Sequence, residues 1–265
     1  MRIAIGVAYD GGTFEGWQSQ PAGNTVQDRI EAALAPIAGA PVRVTAAGRT
    51  DAGVHASGQV AHFDADVDRP ESAWTRGANS HLPDAIAVQW ARDVDGEFHA
   101  RYSATSRTYN YILYNHPVRP ALFAGNVGWF HLPLDVERMR EAARVLIGEH
   151  DFSAFRSAEC QAKTPVRVIE RAAVERRGSY VLFEFTADAF LHRMVRNLVG
   201  CLVYVGKAAQ PPDWLAEVLA GRDRSRAAPT FGPEGLYLVQ VSYPERWQLP
   251  RFAPMLGLLG ELGAR

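Results

Sequence analysis

The sequence predicts an α+β fold: two similar α/β halves sharing a largely antiparallel central sheet, with helices packed outside. Three observations carry that expectation. Candidate strand pairs recur between amphipathic helices, unlike the strict strand–helix alternation of a parallel sheet. The order of elements is loosely similar in two halves, 1–106 and 107–265, although no residue-level repeat relates them. No low-complexity linker divides the halves, which favours one shared sheet and one working unit over two independent domains.

Residues 3–9 alternate like a strand, and Asp10-Gly11-Gly12 reads as the turn that ends it. Thr25 opens a helix, with Asp28 at capping-box spacing and Val26, Ile30, Ala33, Leu34 and Ile37 on one face. Residues 41–46 are apolar at alternate places and read as a strand, and residues 59–64 resume with Val60 and Phe63. A helix over about 71–79 and a strand over 86–92 complete the first half.

The second half opens on residues 107–114, a β-rich and aromatic run. Residues 135–147 form an amphipathic helix that turns Val136, Met139, Ala143 and Leu146 inward. Residues 166–175 and 180–187 pair across Arg177-Gly178-Ser179. A mostly buried helix over about 190–205, a shorter one near 213–219 and a strand over 236–243 follow. The stretch beyond Pro250 is apolar (Phe252, Met255, Leu256) and is expected to pack on the body or on a partner subunit.

Composition narrows the class. With 47% hydrophobic and 22% charged residues the chain is far from a disordered composition, and 265 residues suffice for a large core. A net charge of −1 announces no global positive field. Only Lys163 and Lys207 are lysines, which leaves 26 of the 28 basic residues as arginine. Codon bias accounts for most of that skew, but arginine forks still permit local patches for phosphate. Cys160 and Cys201 are too few and too far apart for a zinc site or disulfide framework, and Cys201 lies among apolar residues as a small hydrophobe would. The first nine residues lack the pattern of a signal peptide, and the apolar run near 198–205 is too short to span a bilayer, so a cytoplasmic setting is expected.

The chemistry concentrates in Gly48-Arg49-Thr50-Asp51-Ala52-Gly53-Val54-His55. A glycine-bounded loop between two strands can aim one carboxylate into a cleft, although an isolated Thr-Asp-Ala-Gly is ordinarily just a turn with Asp51 capping its own backbone. The helix carrying Arg193 and Arg196 is apolar on nearly every side; an arginine there calls for a buried acid or phosphate unless it reaches solvent. Tyr109 and Tyr111 share a strand face, usually a packing arrangement and alternatively a platform for an unstacked base.

These segments closely resemble the motifs of the TruA family of tRNA pseudouridine synthases. The Asp51 loop resembles its catalytic signature, and Tyr9-Asp10-Gly11 with Phe14, Gly16-Trp17-Gln18 and Gln20 its opening motif. Phe98-His99-Ala100-Arg101-Tyr102-Ser103-Ala104 with the Tyr109 strand, Ala189-Phe190-Leu191-His192 through Asn197, and Glu234-Gly235-Leu236-Tyr237-Leu238 are similar to the remaining three. The five run in family order from about residue 3 to 244, and five in register are not chance.

The resemblance implies an isomerase that converts uridine to pseudouridine at positions 38–40 of the tRNA anticodon stem-loop, with Asp51 as the essential carboxylate in a cleft between the halves. It further implies that Tyr109 contacts the target base, Arg196 pairs with Asp51, Leu236 lines the pocket and Arg49 helps hold the RNA. Lys163 and Arg167, in a segment similar to the family's Lys/Arg-Thr-Pro-x-Arg, are further RNA contacts. A homodimer with tRNA as partner is implied, with no metal and no cofactor. Two rivals fit less well. A non-catalytic RNA-binding module on a ferredoxin-like sheet would show the aromatic-spaced RRM octapeptide, which is absent. A retaining glycosidase needs two carboxylates flanking the bond, and this loop offers Asp51 alone.

Overall fold

The computed structural model describes residues 1–250 together with Phe252. The described residues divide into two compact units: Met1–Thr105 with 237–250 and Phe252, and Ser106–Leu236. In the first unit β1 (Arg2–Tyr9), α1 (Val26–Ala38), β2 (Thr45–Ala46), β3 (His55–Asp64) and β4 (Ile86–Val94) follow in order. β1 lies between β3 and β4 and pairs antiparallel with both, and β2 hangs on β3 through Thr45↔His62.

The second unit holds β5 (Ser106–Asn115), β6 (Gly128–Phe130), α2 (Val136–Ala143), β7 (Gly148–Asp151), β8 (Val166–Arg177), β9 (Tyr180–Ala187), α3 (Met194–Gly206) and α4 (Trp214–Gly221). Its strands run in the order β5-β9-β8-β7, antiparallel throughout, with β6 parallel to the end of β5. α2 packs on β8 and against α3 and α4. The last strand, β10 (Leu236–Ser242), lies parallel to β3 in the register Tyr237↔His55. Each unit is thus a mixed α/β structure with a mostly antiparallel sheet.

Local chemistry explains most boundaries. The Thr25 hydroxyl accepts the Asp28 N–H and donates to its carboxylate, closing the expected cap, and α1 stops at Gly39 with φ 69°. The 8/9 hairpin turns on Gly178 at φ 58°, between the paired Arg177 and Tyr180. α2 turns Val136, Met139 and Ala143 inward, and Leu146 follows them in a tightened 3₁₀ turn.

Three expectations shift. The strand expected over 41–46 shrinks to Thr45–Ala46, because Val44 gives its N–H to the Glu31 carboxylate and its carbonyl to Gln27 of α1. Those side chains satisfy backbone groups that a neighbouring strand would otherwise take. The helix over 71–79 contains a π-helical stretch, Ala73–Gly77, around the buried Trp74. The buried helix begins at Met194, not near 190, because Arg193 adopts a left-handed φ of 61°. The apolar stretch after Pro250 lies outside the described residues except for Phe252, whose ring stands 5.9 Å from Trp90.

Candidate active site

In the first unit the loop between β2 and β3 is held by the segment that follows β1. The Thr50 hydroxyl is 2.8 Å from the Tyr9 hydroxyl, and the Thr50 carbonyl accepts the Trp17 N–H at 3.0 Å. Gln59 of β3 donates to the Gly48 carbonyl at 2.6 Å and reaches the Tyr9 oxygen at 3.5 Å. Burial pushes the Tyr9 phenol up to about 12, outweighing the hydrogen bonds that lower it. Tyr9 therefore keeps its proton at neutral pH and serves as a fixed strut.

Two glycines allow the close approach. A Cβ at Gly11 would fall 1.9 Å from the Val54 carbonyl oxygen, and one at Gly16 2.7 Å from the Thr50 oxygen. Gly16 also has φ 90°, a conformation that side chains rarely adopt. Within the loop, the Val54 N–H returns to the Asp51 carbonyl at 3.1 Å and Gly53 takes φ 76°. The turn leaves Asp51 half-buried and Arg49 exposed. The buried His55 ring accepts the Gly11 N–H on Nδ1 and stacks on Tyr237, with centroids 4.7 Å apart.

The second unit carries the other expected residues. Tyr109 of β5 is buried, with Phe190 edge-on to its ring at 5.1 Å. Its strand neighbour Tyr111 is a core residue: fully buried, it donates to the Gly232 carbonyl and meets Phe183 and Phe231 edge-on. Arg196, in the first turn of α3, donates from Nε to the Phe231 carbonyl at 2.8 Å, while the Phe231 N–H returns to the Arg196 carbonyl. These two bonds strap residues 227–231 to the helix. Leu236 is buried, just after a Gly235 so tight against β5 that a Cβ would lie 2.5 Å from the Ile112 oxygen. Lys163 is exposed in the loop before β8, and Arg167 on β8 donates to the Thr164 carbonyl. Sequence reasoning did not single out Tyr9 and Gln59 as a support for the loop, since their partners lie far away in the chain.

The first unit thus sets one aspartate on a glycine-hinged turn between paired strands, within a mostly antiparallel α/β architecture. The chain belongs to the tRNA pseudouridine synthase family, whose model matches residues 5–103 and 142–244. A relative from Thiobacillus denitrificans is 62% identical over 250 residues, 94% of this chain and 96% of its own length. One from Paraburkholderia xenovorans is 58% identical over 256 residues (97% and 94%), and one from Dechloromonas aromatica 59% over 250 (94% and 95%). All three are named tRNA pseudouridine synthase A.

Proposed function

We propose that the chain isomerises uridine to pseudouridine at positions 38–40 of the tRNA anticodon stem-loop, with Asp51 as the catalytic carboxylate. The observation that carries this reading is the Asp51 turn itself, pinned by Tyr9, Trp17, Gln59 and two glycine contacts. So much support for one exposed-side turn suits an acid whose position matters to within an ångström.

The reaction breaks the N1–C1′ bond, rotates the uracil and joins C5 to C1′; C5 loses a proton and N1 gains one. One carboxylate serves as nucleophile at C1′, as nucleophile at the base, or as the group that promotes a glycal route, and the same placement suits all three. In our reading Arg196 pairs with Asp51 and offsets the cost of enclosing it. Tyr109 contacts the flipped base and orders the acceptor of the C5 proton, and Leu236 lines the pocket. Flipping costs a few kcal/mol, recovered by such contacts. Arg49, Lys163 and Arg167 hold the RNA through its backbone, as suits an enzyme reading neighbouring positions in varied sequences.

The chain works in the cytoplasm as a homodimer in this reading. Exposed Val118, Leu122, Phe123, Trp129 and Leu132, gathered within one short segment, give a second copy an apolar surface to cover. Among the described residues no helix is long and apolar enough to cross a membrane.

The test is tritium release from tRNA labelled at uridine C5. The wild-type chain releases tritium without freeing uracil, whereas a hydrolase frees uracil and a binding module does neither. Asp51→Asn is expected to lower turnover at least about 10³-fold while tRNA binding survives; retained turnover would end the assignment.

A further inference from the structure

The second unit contains a cavity of about 280 Å³ beside the start of α3 that none of the roles above uses. Arg156, Arg193 and Arg224 line it, against a single acid, Glu159. Arg156 donates to the carbonyls of Cys160 and Ala162, at 2.6 and 3.0 Å. Arg224 donates to the Ala228 carbonyl, to Asn197 Oδ1 and to the Thr230 hydroxyl, at 2.9, 3.1 and 3.2 Å. Neutral acceptors fix the direction of a guanidinium without cancelling its charge. Asn197, itself buried, is held in turn by the Phe155 carbonyl and by Thr230.

Arg193 differs from the other two. It is 43% exposed and meets Glu159, itself 70% exposed, only at 3.5 Å. A long, solvated pair of this kind contributes little and exchanges readily for a better partner. The lining therefore holds two pre-aimed cations and one that can swing, in a chain whose net charge is −1. A half-enclosed excess of positive charge is costly unless an anion enters. Planar forks match phosphate oxygens in pairs. No aromatic ring lines the cavity, so it offers no platform for a base.

We propose that this cavity binds a backbone phosphate of the RNA strand that carries the target uridine. The inference rests on the proposed function, which supplies the RNA. Arg193 is the residue that caps α3 and Arg196 lies in its first turn, so a nucleotide engaged by Arg196 has a neighbouring phosphate within reach of the cavity. The 227–231 strap serves both places: Phe231 holds Arg196, and Thr230 and the Ala228 carbonyl hold the cavity's Asn197 and Arg224.

The experiment measures tritium release and its salt dependence with Arg193→Gln and Glu159→Gln, two exposed changes that leave the buried bonds in place. Arg193→Gln is expected to raise KM about tenfold at unchanged kcat and to reduce the slope of log affinity against log salt by about one. Glu159→Gln is expected to lower KM a few fold, an opposite sign that lost folding cannot produce. An anticodon stem-loop RNA with one methylphosphonate linkage beside the target uridine should weaken binding to the wild type more than to Arg193→Gln. Wild-type KM and salt slope in both variants would overturn the inference. Competition by inorganic phosphate with no linkage-specific coupling would overturn it too, assigning the cavity to a free anion. A wild-type chain that releases no tritium would instead remove the proposed function itself.

Discussion

The Asp51 loop and the start of α3 carry the two residues expected to matter most, yet they are built by opposite means. The loop is fixed mainly by backbone against backbone: Gly11 and Gly16 admit carbonyls where any Cβ would collide, and Tyr9 and Gln59 tie what remains. The start of α3 is fixed by guanidinium groups reaching oxygens, with Arg196 clasping the Phe231 carbonyl and Arg224 clasping Asn197 Oδ1. The first device tolerates no added atom; the second tolerates changes of shape provided that the donors remain. On the proposed function, an acid that must sit at one place is held by sterics, and groups that would meet a flexible polyanion are held by bonds that can be exchanged.

Gly11→Ala should break the first device most severely. Its Cβ would meet the Val54 backbone, which has no rotamer to yield. A shift of about 1 Å in the loop is expected to lower kcat by roughly 10²-fold, with KM for tRNA little changed, as single-turnover kinetics would show. Arg196→Ala should break the second. It loses the Phe231 bond as well as the role proposed for it beside the acid, so activity and stability are expected to fall together. Limited proteolysis should then cut within 227–235, a change Gly11→Ala does not produce. A stable and active Arg196→Ala would show that the helix start serves neither purpose.

Tyr9→Phe is a milder cut in the first device. It removes the hydroxyl shared by Thr50 and Gln59, at an expected cost of about 1–2 kcal/mol in denaturant unfolding and about tenfold in kcat. The smallest effect concerns pH. Burial, then the neighbouring charges of His99 and Arg2, lower the His62 imidazole to about 4, and its Nδ1 accepts the Ala100 N–H as a neutral ring must. The unfolded chain thus binds this proton more readily than the folded one. The contribution is complete above about pH 6.5 and is lost as pH falls towards 4. His62→Gln should flatten thermal stability across that interval, leaving the α3 region's response to Arg196→Ala unchanged.

Much of this was legible in the sequence, for identifiable reasons. The Thr25–Asp28 cap, the Gly178 turn and the Asp51 loop are local signals whose partners lie a few residues away. Cys201 reads as a packed hydrophobe and is one, its thiol pushed up to about 11 by burial. What escaped depends on partners distant in the chain. Tyr9 and Thr50 are 41 residues apart, and the shortening of β2 is decided by Gln27 and Glu31 on another element. The left-handed Arg193 escaped for a different reason: arginine carries no preference for that conformation, so nothing local announced where α3 begins.

The pairing of Tyr237 with His55 has a consequence for biosynthesis. β2 covers β3 only at Ala61 and His62, so the His55–Ala56 end of β3 stays unmatched on that flank until a strand encoded after all of Ser106–Leu236 arrives beside it. A ribosome therefore releases the Asp51 region long before that region can be finished, and its amide edge stays open to wrong partners throughout. Maturation of the acid-bearing half waits on translation of the other.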